Sequence, residues 1–111
     1  MTRHPDPGWA PSACTLPTAE RPLRLEEFDA LFADAVRAVR RPEETRLRLE
    51  LAFSPRNAAR AAELTARESR CCSFFAFTLG IAEGALTLDV QVPRRQTAVL
   101  DALQARAGGA A

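Results

Sequence analysis

Phe75, Phe77, Leu79 and Ile81 alternate with Phe74, Ala76, Thr78 and Gly80, and Glu83-Gly84 then turns the chain into Leu86, Leu88, Val90 and Val92, which alternate with Thr87, Asp89 and Gln91. A two-residue period on both sides of a Gly-containing turn reads as a β-hairpin with one apolar face. A second alternating run, Thr45 to Phe53, puts Leu47, Leu49, Leu51 and Phe53 on one side and Arg46, Arg48 and Glu50 on the other. It reads as a strand with one wet face.

The remaining segments have helical periods. Leu25, Phe28, Phe32, Ala35, Val36 and Val39 form a 3.6-residue stripe starting at Leu23, with Glu26 and Glu27 early and Arg40 and Arg41 late, which predicts a helix ended by Pro42. Ser54-Pro55 supplies an N-cap and a first-turn proline for a second helix through Ala58, Ala61, Ala62, Leu64 and Thr65 to Cys72. Pro93 opens a last helix, with Val99, Leu100, Leu103 and Ala107 on its apolar face and Gly108-Gly109 as its stop. Ala13-Cys14-Thr15-Leu16, before Pro17, reads as a short edge strand or a pinned turn.

The order is β-α-β-α-β-β-α, an α+β chain. A strand, a crossover helix and a hairpin assemble most simply as a split β-α-β, with the last strand between the other two. The expectation is a three- to four-stranded, mostly antiparallel sheet with helices packed on one face. The other face is then left for the remaining helices or a second copy, which raises a homodimer as an expectation.

A chain of 111 residues that is 47% hydrophobic suits one domain. Residues 1–12 hold Pro5, Pro7, Pro11, Gly8 and a lone Trp9 with no period, and read as a flexible arm before a domain at 13–107 and a tail at 108–111. Trp9 in such an arm is expected to dock, on this domain or on a partner. The first residues contain no apolar signal region and no run is long enough for a membrane span, so a cytoplasmic protein is expected.

Charge and residue type narrow the chemistry. The net charge is +1, with 15 basic and 14 acidic residues interleaved, which argues against direct nucleic-acid binding. All the basic residues are Arg, as the compositional bias of a G/C-rich genome would give. His4, in the arm, is the single histidine, so no Ser/His/Asp or Cys/His set can be built. No phosphate-cradling loop or dinucleotide fingerprint occurs, and no organic cofactor is expected.

Glu68-Ser69-Arg70-Cys71-Cys72 concentrates the remaining chemistry. In a helix, Glu68 lies three residues before Cys71 and four before Cys72, so its carboxylate reaches either sulfur. Three cysteines without a secretory signal argue for reduced thiols, and a bridge between the neighbours Cys71 and Cys72 would close a strained ring. Thiolates select thiophilic ions such as Hg(II), Zn(II), Cd(II) or Cu(I), and Cys71 and Cys72, with Cys14 as a third sulfur, form the candidate ligand set. The absence of Cys-x-x-Cys spacing points away from a structural zinc knuckle and toward an open site. Glu68 is the candidate acid-base group: burial beside the thiols would raise its pKa and let it move a proton as a sulfur exchanges its ligand. The alternatives are that the cysteines only pack the core beside Phe74 and Phe75, and that Glu68 only pairs with a neighbouring arginine such as Arg67 or Arg70.

Cys14-Thr15-Leu16-Pro17 with Arg21 and Arg24, then Glu68-x-x-Cys71-Cys72-Ser73-Phe74-Phe75-x-Phe77, then Leu88-x-Val90-x-Val92-Pro93, resembles a family of small bacterial proteins common in actinobacteria. That family is associated with MerR-type heavy-metal-responsive regulators, as neighbours or fused segments, and the resemblance covers Cys14 to Ala107. It implies a metal or thiol-stress context, a MerR-type regulator as partner, and Cys14, Glu68, Cys71 and Cys72 as functional positions. The site chemistry is also similar to that of organomercurial lyase, in which two cysteines and an acid split a carbon–mercury bond. The expected function is heavy-metal binding through the vicinal cysteine pair. The alternatives are a thiol-based redox or lyase-like enzyme using Glu68, and a dimeric interaction module with structural cysteines.

Overall fold

The computed structural model describes residues 21–110, without the side chains of residues 21–25, 71 and 110. The N-terminal arm, the expected strand at Ala13–Leu16 and Cys14 lie outside the described residues. The elements are α1 (Arg21–Ala35), β1 (Val36–Glu43), β2 (Arg46–Leu51), α2 (Pro55–Cys71), β3 (Ala76–Ala82), β4 (Ala85–Gln91), a 3-10 turn (Arg94–Gln96) and α3 (Thr97–Ala110). The fold is α+β, with one antiparallel sheet in the order β1-β2-β4-β3.

The hairpin forms where the alternation places it. Ala82 pairs with Ala85, and the two residues between them, Glu83 and Gly84, both have positive φ (53° and 76°). A mirror-image turn of this kind matches the twist of the flanking strands. A Cβ on Gly84 would touch nothing, so the backbone angle selects glycine there. β4 then inserts between β3 and β2, as the split β-α-β arrangement requires.

The register puts Leu47 opposite Val90, Leu49 opposite Leu88 and Leu51 opposite Leu86. All six are buried. α3 packs over β1 and β2, α2 over β3, and α1 touches both other helices. Phe28, Leu31, Phe32, Leu64, Leu100 and Leu103 close the core from the helical side. The expected inward rows end early, because Ile81 is 58% and Phe53 48% exposed, at the sheet end where α2 begins.

The other sheet face carries charged cross-strand pairs. Arg48 donates to both carboxylate oxygens of Asp89, at 2.7 and 3.0 Å, and Arg40 donates to Glu50 at 2.6 Å. Arg40 and Arg48 are cross-strand partners, and these two acids offset their like charges.

Two expected boundaries are corrected. The first helix stops at Ala35, whose carbonyl accepts the Ala52 N–H at 2.7 Å, and residues 36–43 form a strand instead of continuing to Pro42. Val36 opposes Leu51 while Val39 opposes Leu49, so a bulge between them lets residues three apart share the inner face. That spacing imitates a helical stripe. Pro42 is tolerated because β1 is an edge strand. At the other end, the chain after Pro93 makes a 3-10 turn before α3, which runs through Gly108-Gly109 to Ala110. Among the described residues, no helix is long and apolar enough to cross a membrane.

Replacing Leu49 or Leu88 by Ala should cost about 2–5 kcal/mol in chemical denaturation, and Ile81→Ser about 0.5 kcal/mol or less. Equal losses at all three positions would contradict the observed burial. The hydrogen bond and charge of Arg48 hold the Asp89 carboxyl below its ordinary value. A lowered folded-state pKa gives stability that is present above the unfolded-state value, about 3.9, and is lost as pH falls through the lowered one. The stability gap between wild type and Asp89→Asn should therefore be constant above about pH 5 and close on acidification.

Candidate functional site

α2 carries the site, and its start follows the sequence signal. The Ser54 side chain accepts the Asn57 N–H at 3.0 Å, and Pro55 occupies the first helical position. Asn57 donates from its side chain to the Ala52 carbonyl at 2.9 Å, which ties the helix start to the end of β2. Along the helix, Ala61, Leu64, Thr65, Glu68 and Cys72 form one buried stripe. Thr65 satisfies its own hydroxyl by donating to the Ala61 carbonyl at 2.8 Å. Glu68 is the charged-type residue in that stripe, and it is 3% exposed.

The helix ends on its own site. Cys72 leaves helical geometry (φ −127°, ψ 87°), and its N–H donates to the Glu68 carbonyl at 2.7 Å. Glu68 also places Oε2 3.2 Å from Cys72 Sγ. One residue thus fixes both the backbone and the sulfur of Cys72, which is 1% exposed. The chain then turns, with the Phe75 N–H donating to the Cys72 carbonyl at 3.3 Å. Phe74 and Phe75 have ring centroids 4.6 Å apart, and Phe75 and Phe77 4.9 Å apart, and these rings join Cys72 in the core cluster. β3 starts only at Ala76, so Phe74 and Phe75 belong to this connection and not to the strand.

Cys72 is disulfide-bonded, to a sulfur outside the described side chains. The expectation of reduced thiols rested on the lack of a secretory signal, and this structure holds Cys72 in its oxidised form. The redox state also sets the meaning of the 3.2 Å contact. A Cys72 thiol donates its proton to the Glu68 carboxylate, whereas a disulfide sulfur has none, so only a protonated Glu68 can make a hydrogen bond across the same gap.

The sequence candidates are therefore partly assembled. Glu68 and Cys72 meet as the i, i+4 spacing predicts. Cys71 is the last residue of α2, with its side chain outside those described, and Cys14 lies outside the described residues altogether. Among the described residues, no group of three or more His, Cys, Asp or Glu side chains is placed to hold a metal ion. Arg67 binds Glu27 on α1, Arg70 is exposed, and the Glu68 carboxyl is buried. The sequence reading missed the stacking of Phe77 on Phe75, although three phenylalanines within four residues were its visible signal.

No protein-family model matches the chain, and neither the curated proteins nor the solved structures hold a match.

After reduction, Cys72 should react with iodoacetamide far more slowly in the native protein than in urea, followed by mass spectrometry. Labelling of native Cys72 as fast as in the unfolded chain would contradict its burial.

Proposed function

We propose that the reduced protein binds a thiophilic metal ion, Hg(II), Zn(II), Cd(II) or Cu(I), through Cys72 and the sulfur bonded to it in the oxidised form, with Glu68 as acid-base partner or third ligand. The observation that supports this most is the convergence of a disulfide sulfur and a buried carboxyl oxygen 3.2 Å apart. Two sulfurs close enough to bond become, on reduction, two soft donors at one point. Metal binding displaces the thiol protons, and a carboxylate at this distance is placed to receive one of them. A reducing compartment such as the cytoplasm keeps the donors available. A MerR-type regulator is the partner implied by the motif resemblance, and this protein would bind the ion without touching DNA itself.

A second reading, thiol–disulfide exchange, is favoured by the disulfide itself: Cys72 would leave as a thiolate and recover a proton from Glu68. Anaerobic titration of reduced protein with Hg(II) and Zn(II), following thiolate-to-metal absorbance, separates the two. The metal reading expects saturation at one ion per chain or per dimer, lost in Cys72→Ser and kept with altered proton release in Glu68→Gln. Absence of specific saturation, with retained disulfide exchange, leaves the second reading.

A further inference from the structure

We propose that the protein forms a two-fold dimer in which β3 of one chain adds antiparallel to β3 of a second copy, joining the two sheets edge to edge. Cys72 and Glu68 take no part in the contact.

The hairpin decides which backbone groups the edge offers. Ala82 and Ala85 flank a two-residue turn of positive φ, so they exchange both of their backbone bonds. Alternation along an antiparallel ladder gives Gly80 with Thr87, and Thr78 with Asp89, the same exchange. The N–H and C=O groups of Phe77, Leu79 and Ile81 therefore point away from β4. Among the described residues no strand lies on that side, because β3 ends the sheet.

The sequence of β3, Ala76–Ala82, is self-complementary about its middle residue. With a two-fold axis normal to the sheet at Leu79, Leu79 faces Leu79 of the second copy, Phe77 faces Ile81, Thr78 faces Gly80, and Ala76 faces Ala82. This register sets the outward-pointing backbone groups of the two strands against each other, each residue exchanging both its bonds. It also keeps the apolar rows on one face. Phe77, Leu79 and Ile81 extend the core row of Val90, Leu88 and Leu86, yet Phe77 and Leu79 are only half-buried and Ile81 is exposed. The copy's Ile81 comes to lie against Phe77, whose ring stacks on Phe75, and an aromatic ring beside a β-branched side chain is a favourable cross-strand pair. Each chain supplies the apolar neighbour that the other's row lacks. Because the strand's own sequence satisfies every backbone and side-chain pair, the edge fits a second copy better than an unrelated strand.

An edge that must stay unpaired is commonly interrupted by charge, proline or a bulge. β1 has all of these, and β3 has none.

Reduced, metal-free protein is followed by sedimentation velocity from micromolar to millimolar concentration, with amide exchange measured by NMR at both ends of the range. The mass is expected to double with concentration. The amides of Phe77, Leu79 and Ile81 should exchange more slowly in the dimer, while those of Thr78 and Gly80, bonded to β4 in either state, are protected throughout. Ile81→Lys should leave the denaturation midpoint of the monomer nearly unchanged and weaken association about tenfold, since two-fold symmetry removes the Phe77–Ile81 pair twice. Three results would overturn the dimer: a single-chain mass at every concentration, a dimer in which the Phe77, Leu79 and Ile81 amides exchange as in the monomer, or protection of those amides already in the monomer, which would mean that the chain covers its own edge.

Discussion

The pairing of β2 with β4 holds the rest of this structure in place. Leu47, Leu49 and Leu51 face Val90, Leu88 and Leu86, and every helix is positioned by the need to cover that double row. Because β4 lies between β2 and β3, α2 must cross over the sheet to connect them, and its C-terminus is delivered beside the start of β3. The cysteine-containing end of α2 is therefore placed by the topology of the sheet. The ion pairs from Asp29 to Arg106 and from Asp34 to Arg60 then set α1 against the other two helices at the surface. Such exposed pairs contribute little energy singly, but they fix alignment.

Glu68 departs from the pattern around it. A leucine in the same stripe would serve the core better, since burying a carboxyl is costly unless its charge or its proton is compensated. Its carbonyl accepts the Cys72 N–H as the last turn of the helix, and its side chain lies against the Cys72 sulfur. Positions where local consistency is given up are where function is to be sought.

Much of this was legible in advance. Strict alternation located β2, β3 and β4, and a serine-proline pair located the start of α2, because those signals arise from local sterics and hydrogen bonding. β1 was illegible for an equally physical reason: Val36 and Val39 reach one face through a bulge, and a three-residue spacing is shared by bulged strands and helices. Two glycines near the end of α3 were read as a stop, yet tertiary packing of Leu103 and Ala107 carries the helix past them. The meeting of Glu68 with Cys72 was readable from a four-residue spacing. Its burial was not, because burial depends on which helical face the sheet receives. Nor was the disulfide at Cys72, because the spacing of the cysteines does not state which sulfurs meet.

The two borders of the sheet are not equivalent. β1 is interrupted by two irregularities and carries Pro42, so it offers a broken line of backbone donors and acceptors. β3 pairs with β4 through seven consecutive residues without a bulge, and its outer line, among the described residues, is regular. Half-buried Phe77 and Leu79 and exposed Ile81 lie along the same strand. Among the described residues the sheet is therefore polarised, with a continuous backbone line on one side only, beside the aromatic cluster that adjoins Cys72.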